Sequence, residues 1–231
     1  MRLLLRSVWY GTLLVLIALA LAQFWYLVHI WYWTDHDPES TAFMQARLEA
    51  LQKKDPRATL KHQWVPYRRI SIHLKRAMIA AEDARFLEHE GFDWEGIQKA
   101  YERNLKKGRI VAGGSTISQQ LAKNLFLSGE RTWWRKAQEA LLTVMIETIL
   151  SKRRILEIYL NVIEWGSGVF GAEAGARYHF GVSCADLSPE QAAEMAAMAP
   201  SPRRYSPGRE TAYLAKRTEI IRSRMAAAQV P

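Results

Sequence analysis

Apolar residues fill the start of the chain and then retreat to helical spacing. From Val8 to Trp33 no Asp, Glu, Lys or Arg occurs. As a helix at about 1.5 Å per residue this run reaches roughly 39 Å, enough to cross a bilayer. Arg2 and Arg6 precede it while Asp35, Asp37 and Glu39 follow, so the positive-inside rule puts the N-terminus in the cytoplasm and the remainder outside. Trp9 and Tyr10 at one end, and Trp25, Tyr26, Trp31, Tyr32 and Trp33 at the other, have the character of interfacial anchors. A cleaved signal peptide ending near Ala20-Leu21-Ala22 is the competing reading. Hydrophobicity resumes beyond Ala22, which favours a retained anchor, and the length of the run counts against a buried core helix.

Residues 34–68 are mixed and punctuated by Pro38, Pro56 and Pro66, which reads as a tether with one helical piece around Thr41–Gln52. From Ile70 onward the pattern is helical. Leu74, Ala77, Met78 and Ala81 lead to Glu82; Trp94, Ile97, Tyr101 and Leu105 follow the cap Asp93 and stop at Gly108. Thr116 with Gln119 forms a capping box that opens a third helix through Ile117, Leu121 and Leu125. The stretch 132–150 carries Leu141, Leu142, Val144, Met145, Ile146, Ile149 and Leu150, a density that predicts a central, buried helix. Another helix covers 152–161, and Ser188, Pro189 and Gln191 open an alanine-rich one reaching Met198. No strand alternation of useful length and no internal repeat occur. The prediction is an all-α protein: a cytoplasmic tip and transmembrane anchor over 1–33, a tether over 34–68 and one domain over 69–231.

Composition narrows the partners. With 49% apolar and 24% charged residues the chain is globular rather than disordered. Lys and Arg number 32 against 23 acids, a net charge of +9, so an anionic partner is expected. Nucleic acid, phospholipid headgroups and pyrophosphates all qualify, but no aromatic-basic interleaving suggests stacked bases, and nucleic acid is not expected. Cys184 is the one cysteine; it cannot close an internal disulfide, and no Cys/His cluster has zinc spacing.

Three segments could carry chemistry. In AEDARFLEHEGFD, Glu82 and Asp83 end an apolar helix beside Ala81, Phe86 and Leu87, a setting that suits general acid or base work as well as a solvated helix end. His89 is more often a hydrogen-bonding structural histidine than a catalyst, and His89 with Asp93 is not a metal motif in itself. In RTWWRKAQEALL, Arg135 and Lys136 lie four and three residues before Glu139 and project from one helix side, either as a surface ion-pair ladder or as a cation pair for a departing diphosphate. In GRIVAGGSTISQQLAKNL, Gly113 and Gly114 stand before a helix start, where free N–H groups favour an anion, or form an ordinary loop. No P-loop GK[ST] follows. Gln119, Gln120, Lys123 and Asn124 make a polar stripe of the kind that lines a cleft.

EDARFLEHEGFD, GGSTISQQLAKNL, RKAQEALLTVMIE, KRRILEIYLNVIEWGSGVFG and AAMAPSPRRYSP, in this order, resemble the five motifs of the peptidoglycan glycosyltransferases of glycosyltransferase family 51, over about residues 70–207. The anchor and the absence of a following transpeptidase domain resemble its monofunctional members. The resemblance implies a lysozyme-like helical fold with a large lobe, a small membrane-proximal lobe and a cleft between them. It implies polymerisation of lipid II into β-1,4-linked glycan with release of polyprenyl pyrophosphate, on the outer face of a bacterial inner membrane, beside the nascent glycan strand and cell-wall synthesis or division proteins.

By the same resemblance, Glu82 is the general base on the acceptor sugar's 4-hydroxyl, and Asp83, Phe86 and His89 shape the cleft around it. Glu139, Arg135 and Lys136 hold the donor's pyrophosphate. Ser115, Thr116, Gln119, Gln120, Lys123 and Asn124 contact the donor side, while Tyr159 and Asn161 support the cleft. No covalent cofactor is implied; Mg2+ or Mn2+ is a family-level expectation for which the sequence offers no ligand set. Ser118, Ser201 and His179 depart from the family's usual residues, without touching Glu82 or Glu139. Two other classes share features with this reading: a lysozyme-like hydrolase using Glu82 as general acid, and a non-catalytic basic scaffold on anionic lipid.

Overall fold

The apolar run forms a single helix, α1 (Arg2–Tyr32), in a computed structural model that describes residues 2–109, 113–128, 132–205 and 211–231. Among the described residues α1 is the one helix long and apolar enough to cross a membrane. Most of its side chains are exposed, and only its last third docks on the rest of the chain. There Ile30 is fully buried, Tyr26 and Trp33 pack against Phe126 with ring centroids 5.1 and 5.3 Å away, and Gln23 exchanges amide hydrogen bonds of 3.1 and 3.0 Å with Gln138.

Residues 34–68 are largely folded onto the domain. Helix α2 (Ala42–Gln52) starts where Thr41 Oγ1 accepts the Met44 N–H at 3.1 Å. Strand β1 (Lys61–His62) pairs parallel with β3 (Val169–Phe170), which pairs antiparallel with β2 (Glu164–Gly166), giving the order β1-β3-β2. Strands of two or three residues are too short to print an alternation, which is why none is visible in the sequence. A 3₁₀ turn at Tyr67–Arg69 leads into the helical domain.

That domain comprises α3 (Ile72–Glu82), α4 (Trp94–Lys107), α5 (Ile117–Phe126), α6 (Trp133–Ile149), α7 (Lys152–Val162), α8 (Ala172–Phe180), α9 (Pro189–Met198) and α10 (Ala212–Met225). Helices α3, α9 and α10 pack as one group and α5, α6 and α7 as another, with α2 laid on α5. The capping boxes of Thr116–Gln119 and Ser188–Gln191 both form, Asp93 caps α4, and Gly108 ends it in the left-handed conformation. Sequence patterning marked neither α8 nor α10.

Two expectations need correction. Helix α6 is not central: Trp133, Trp134, Leu141 and Val144 are exposed, and only Glu139, Leu142, Thr143 and Ile146 are buried. One face of α6 enters the core while another part lies against α1, so apolar residues are needed on more than one side. The central helix is α7, buried continuously from Ile158 to Val162. In α4 the stripe of Trp94, Tyr101 and Leu105 faces outward, and Ala100 is its one buried residue.

Within α7, fully buried Asn161 accepts the Val65 N–H at 2.9 Å and donates to the carbonyls of Val65 and Glu157, each at 2.9 Å. Three satisfied bonds on one buried amide lock the 34–68 segment to the domain, where leaving any of them unmade would cost about 1–3 kcal/mol. Close packing is equally specific at Gly175, where a Cβ would lie 2.6 Å from the Trp165 ring.

Two histidines are held by backbone carbonyls: His62 Nε2 donates to Asn161 O at 3.0 Å and His179 Nε2 to Trp165 O at 2.6 Å. Burial lowers both pKa values from 6.5, outweighing the carbonyl bonds that raise them. The unfolded chain therefore binds protons that the folded chain refuses, so stability is complete above pH 6.5 and declines as pH falls from there toward the lowered folded values. Thermal unfolding followed from pH 7.5 to about 5 should show a falling midpoint, and His179→Gln should flatten part of that fall.

Candidate active site

Helix α3 delivers Glu82 and Asp83 to the start of α5. Asp83 is buried at 6% exposure. Its Oδ2 accepts the Ile117 N–H at 3.0 Å, and its Oδ1 is bonded by His89 Nε2 at 2.9 Å. His89 Nδ1 accepts the Gly91 N–H at 3.1 Å, which assigns the ring proton to Nε2 and makes His89 the donor to Asp83. A carboxylate at the first free N–H of α5 also meets the positive end of that helix. Thr116 Oγ1 adds a bond to Gly91 O at 2.7 Å.

Glu82 turns the other way. Its side chain is 13% exposed; Oε2 accepts from Gln120 Nε2 at 2.9 Å, and Oε1 lies 3.6 Å from Arg217 Nη2. Tyr159 O–H donates to Gln120 Oε1 at 3.1 Å. Burial first, and then the charges of Glu82 and Asp83, push the Tyr159 pKa well above its ordinary value of 10.0. Tyr159 is therefore a fixed donor, and it orients the Gln120 amide so that its NH2 faces Glu82.

Two cavities meet at Gln120 and Lys123 on α5. The first, about 660 Å³, lies between the starts of α5 and α6 and includes Ser115, Gln119, Arg135, Lys136 and Glu139. Glu139 is buried and ion-paired with Lys136. Arg135 Nε is buried without a hydrogen-bond partner among the described residues, an arrangement that suits an incoming oxyanion. The second cavity, about 560 Å³, runs past Asn124 and Tyr159 to Arg203 and Arg204.

The residues expected from sequence therefore separate. Ser115, Gln119, Gln120, Lys123, Asn124, Arg135, Lys136 and Glu139 line one or both cavities. Glu82 lines neither directly and reaches them through Gln120. Asp83, Phe86, His89 and Thr116 stand behind the wall; Phe86 is 0% exposed and belongs to the core, so it braces the cleft rather than touching its contents. Residues 110–112 of the glycine-rich segment, and Ser206 and Pro207 of the last motif, lie outside the described residues. Arg217, Arg47 and Phe43 were missed. The first is brought in by α10, far along the chain, and no local pattern marks it.

The described residues form no all-protein cage for Mg2+ or Mn2+: no three His, Cys, Asp or Glu side chains converge among them, and Glu139 is the one carboxylate among the described lining of the first cavity that could share an ion with a bound diphosphate. Buried Cys184 is no nucleophile, because burial pushes its thiol pKa up to about 12.

A helical domain that ties a carboxylate, Glu82, through Gln120 to a cleft lined by cations has the layout of a glycan-processing enzyme. The Transglycosylase family model matches residues 48–226. "Biosynthetic peptidoglycan transglycosylase" is the name of similar proteins from Methylobacillus flagellatus, 62% identical over 96% of this chain and 97% of that one, and Nitrosospira multiformis, 60% identical over 98% of each. A third, from Chromobacterium violaceum, bears the same name and is 61% identical over 93% of this chain and 94% of its own. The chain belongs to the transglycosylase family and is a glycosyltransferase enzyme.

Proposed function

We propose that the enzyme polymerises lipid II, the lipid-diphosphate-linked peptidoglycan precursor, with Glu82 as general base. The acceptor's 4-hydroxyl attacks the donor's anomeric carbon while Glu82 takes the hydroxyl proton. The bond from that carbon to the diphosphate oxygen breaks, and the electron pair leaves with polyprenyl pyrophosphate. Arg135 and Lys136, the latter oriented by Glu139, neutralise the charge that develops on the departing oxygen, which removes the need for a strong general acid. The observation that carries this reading is the link from Glu82 through Gln120 to the cavity that holds Arg135 and Lys136.

Helix α1 then serves as a single-pass anchor with the catalytic domain on the periplasmic side of the inner membrane, which confines the enzyme to the surface that carries both of its substrates. The names of the relatives support synthesis over hydrolysis, as does a paired cation cluster, which a lytic enzyme acting on finished glycan has no diphosphate to use. The test is incubation of the purified full chain with labelled lipid II. Labelled glycan polymer and free polyprenyl pyrophosphate are expected. Soluble fragments from finished wall, with no polymer from lipid II, would overturn the reading.

A further inference from the structure

The second cavity contains side chains from a part of the molecule that the family match does not cover. Phe43 and Arg47 on α2 line it, whereas the match begins at residue 48. We propose that this juxtamembrane helix is part of the substrate-binding surface and that Arg47 receives a peptide carboxylate of the sugar-peptide substrate. This rests on the lipid II reading above, and adds to it which part of the substrate the second cavity takes.

The side chain is set up in advance. Arg47 Nη2 donates to Glu164 Oε2 at 3.3 Å, and Nε lies 3.0 Å from Oε1 off the line of a hydrogen bond. Glu164 is itself buried and accepts the Gly168 N–H at 3.2 Å. The guanidinium carbon sits 5.5 Å from the Phe43 ring centroid, and Phe43 packs edge-on against Phe170. One side of the fork is thus anchored and one face is backed by an aromatic ring. The remaining nitrogen, Nη1, has no hydrogen-bond partner among the described residues, and the side chain is 17% exposed at the cavity wall. A planar guanidinium held this way offers its free edge to a carboxylate with little ordering cost.

Charge points to the same ligand. Among the described residues, Arg47, Lys123, Arg203 and Arg204 line the cavity against one acid, Glu164. Neutral sugar hydroxyls do not call for that excess of cations, and the diphosphate is accounted for by Arg135 and Lys136 in the first cavity. Two anionic groups remain among the substrates, the acceptor's own diphosphate and the peptide carboxylates, and only the carboxylates are removed by amidation, so comparing free with amidated substrate tells them apart.

The alternative is that Arg47 only fastens α2 to the domain, so the experiment varies the substrate as well as the protein. Lipid II with free peptide carboxylates and lipid II with those carboxylates converted to primary amides are compared, using the full chain and the charge-balanced double variant Arg47→Met with Glu164→Gln, which strands no buried charge. For the unaltered enzyme the amidated substrate should show a KM higher by about tenfold, the scale of one charge-assisted hydrogen bond at a partly exposed site. In the double variant that ratio should collapse to about one, and Arg47→Lys, which keeps the charge without the fork, should restore part of it. An equal KM for both substrates in the unaltered enzyme overturns the proposal. So does a ratio that survives in the double variant, or a variant that loses thermal stability with the ratio intact. If the unaltered enzyme polymerises neither substrate, the lipid II reading itself has failed, an outcome separable from all of these.

Discussion

Glu82→Gln is expected to abolish glycan polymerisation while the protein stays folded. General-base catalysis contributes about 10²–10⁴-fold, and the amide has no basicity near neutral pH with which to replace it. The fold should hardly register the change. Glutamine matches the shape, and its Oε1 can still accept the Gln120 amide that Glu82 accepts at 2.9 Å. The ion pair with Arg217 is 3.6 Å long, with the arginine side chain 31% exposed, and pairs of that kind contribute roughly 0–1 kcal/mol. Single-turnover polymerisation of labelled lipid II should therefore drop to background, with lipid II binding and the unfolding midpoint close to those of the parent. Polymerisation above about a tenth of the parent rate would remove Glu82 from the role of base, since so small a loss is less than general-base catalysis supplies.

Local signals in the sequence and placements made by the fold divide cleanly in this protein. Caps are local: Thr116 with Gln119 and Ser188 with Gln191 are three residues apart, so the geometry that makes each box is written in the spacing. The polar stripe on α5 is also local, and Gln120 and Lys123 do line the cleft. Burial is not local. The apolar density of α6 looked like a core helix because sequence gives the number of apolar faces and not what covers them, and part of the covering is α1. Phe86 and His89 sit close to Glu82 in sequence, yet the chain turns at Asp83 and sends them behind the wall. Arg217 and Arg47 reach the site from α10 and α2, separated from Glu82 by long stretches of chain, and only the packing of α10 on α3 and of α2 on α5 brings them there. The resemblance to a glycosyltransferase family named the cleft residues that motifs encode. It did not extend to residues that lie before or after those motifs.

Arg135→Ala should separate binding of the leaving group from stability. The residue lies in the first turn of α6, where its backbone N–H is bonded by the cap Thr132 at 3.2 Å, a bond that alanine keeps. Alanine is at least as good a helix former as arginine. The Nε has no partner among the described residues, so truncation strands no bonded group and the unfolding midpoint should stay near that of the parent. Activity should not. A donor aimed at charge that develops on a departing oxygen is worth about 10²–10³ in kcat, and because the ground-state diphosphate is already charged, KM for lipid II should rise as well. Arg135→Lys should recover only part of this, since a lysine supplies the charge without two parallel N–H donors. The decisive comparison is polymerisation rate beside thermal unfolding for Arg135→Ala and Arg135→Lys. A loss of rate that merely tracks loss of stability, or full activity in Arg135→Ala, would take the diphosphate away from this end of α6 and leave the first cavity without its proposed occupant.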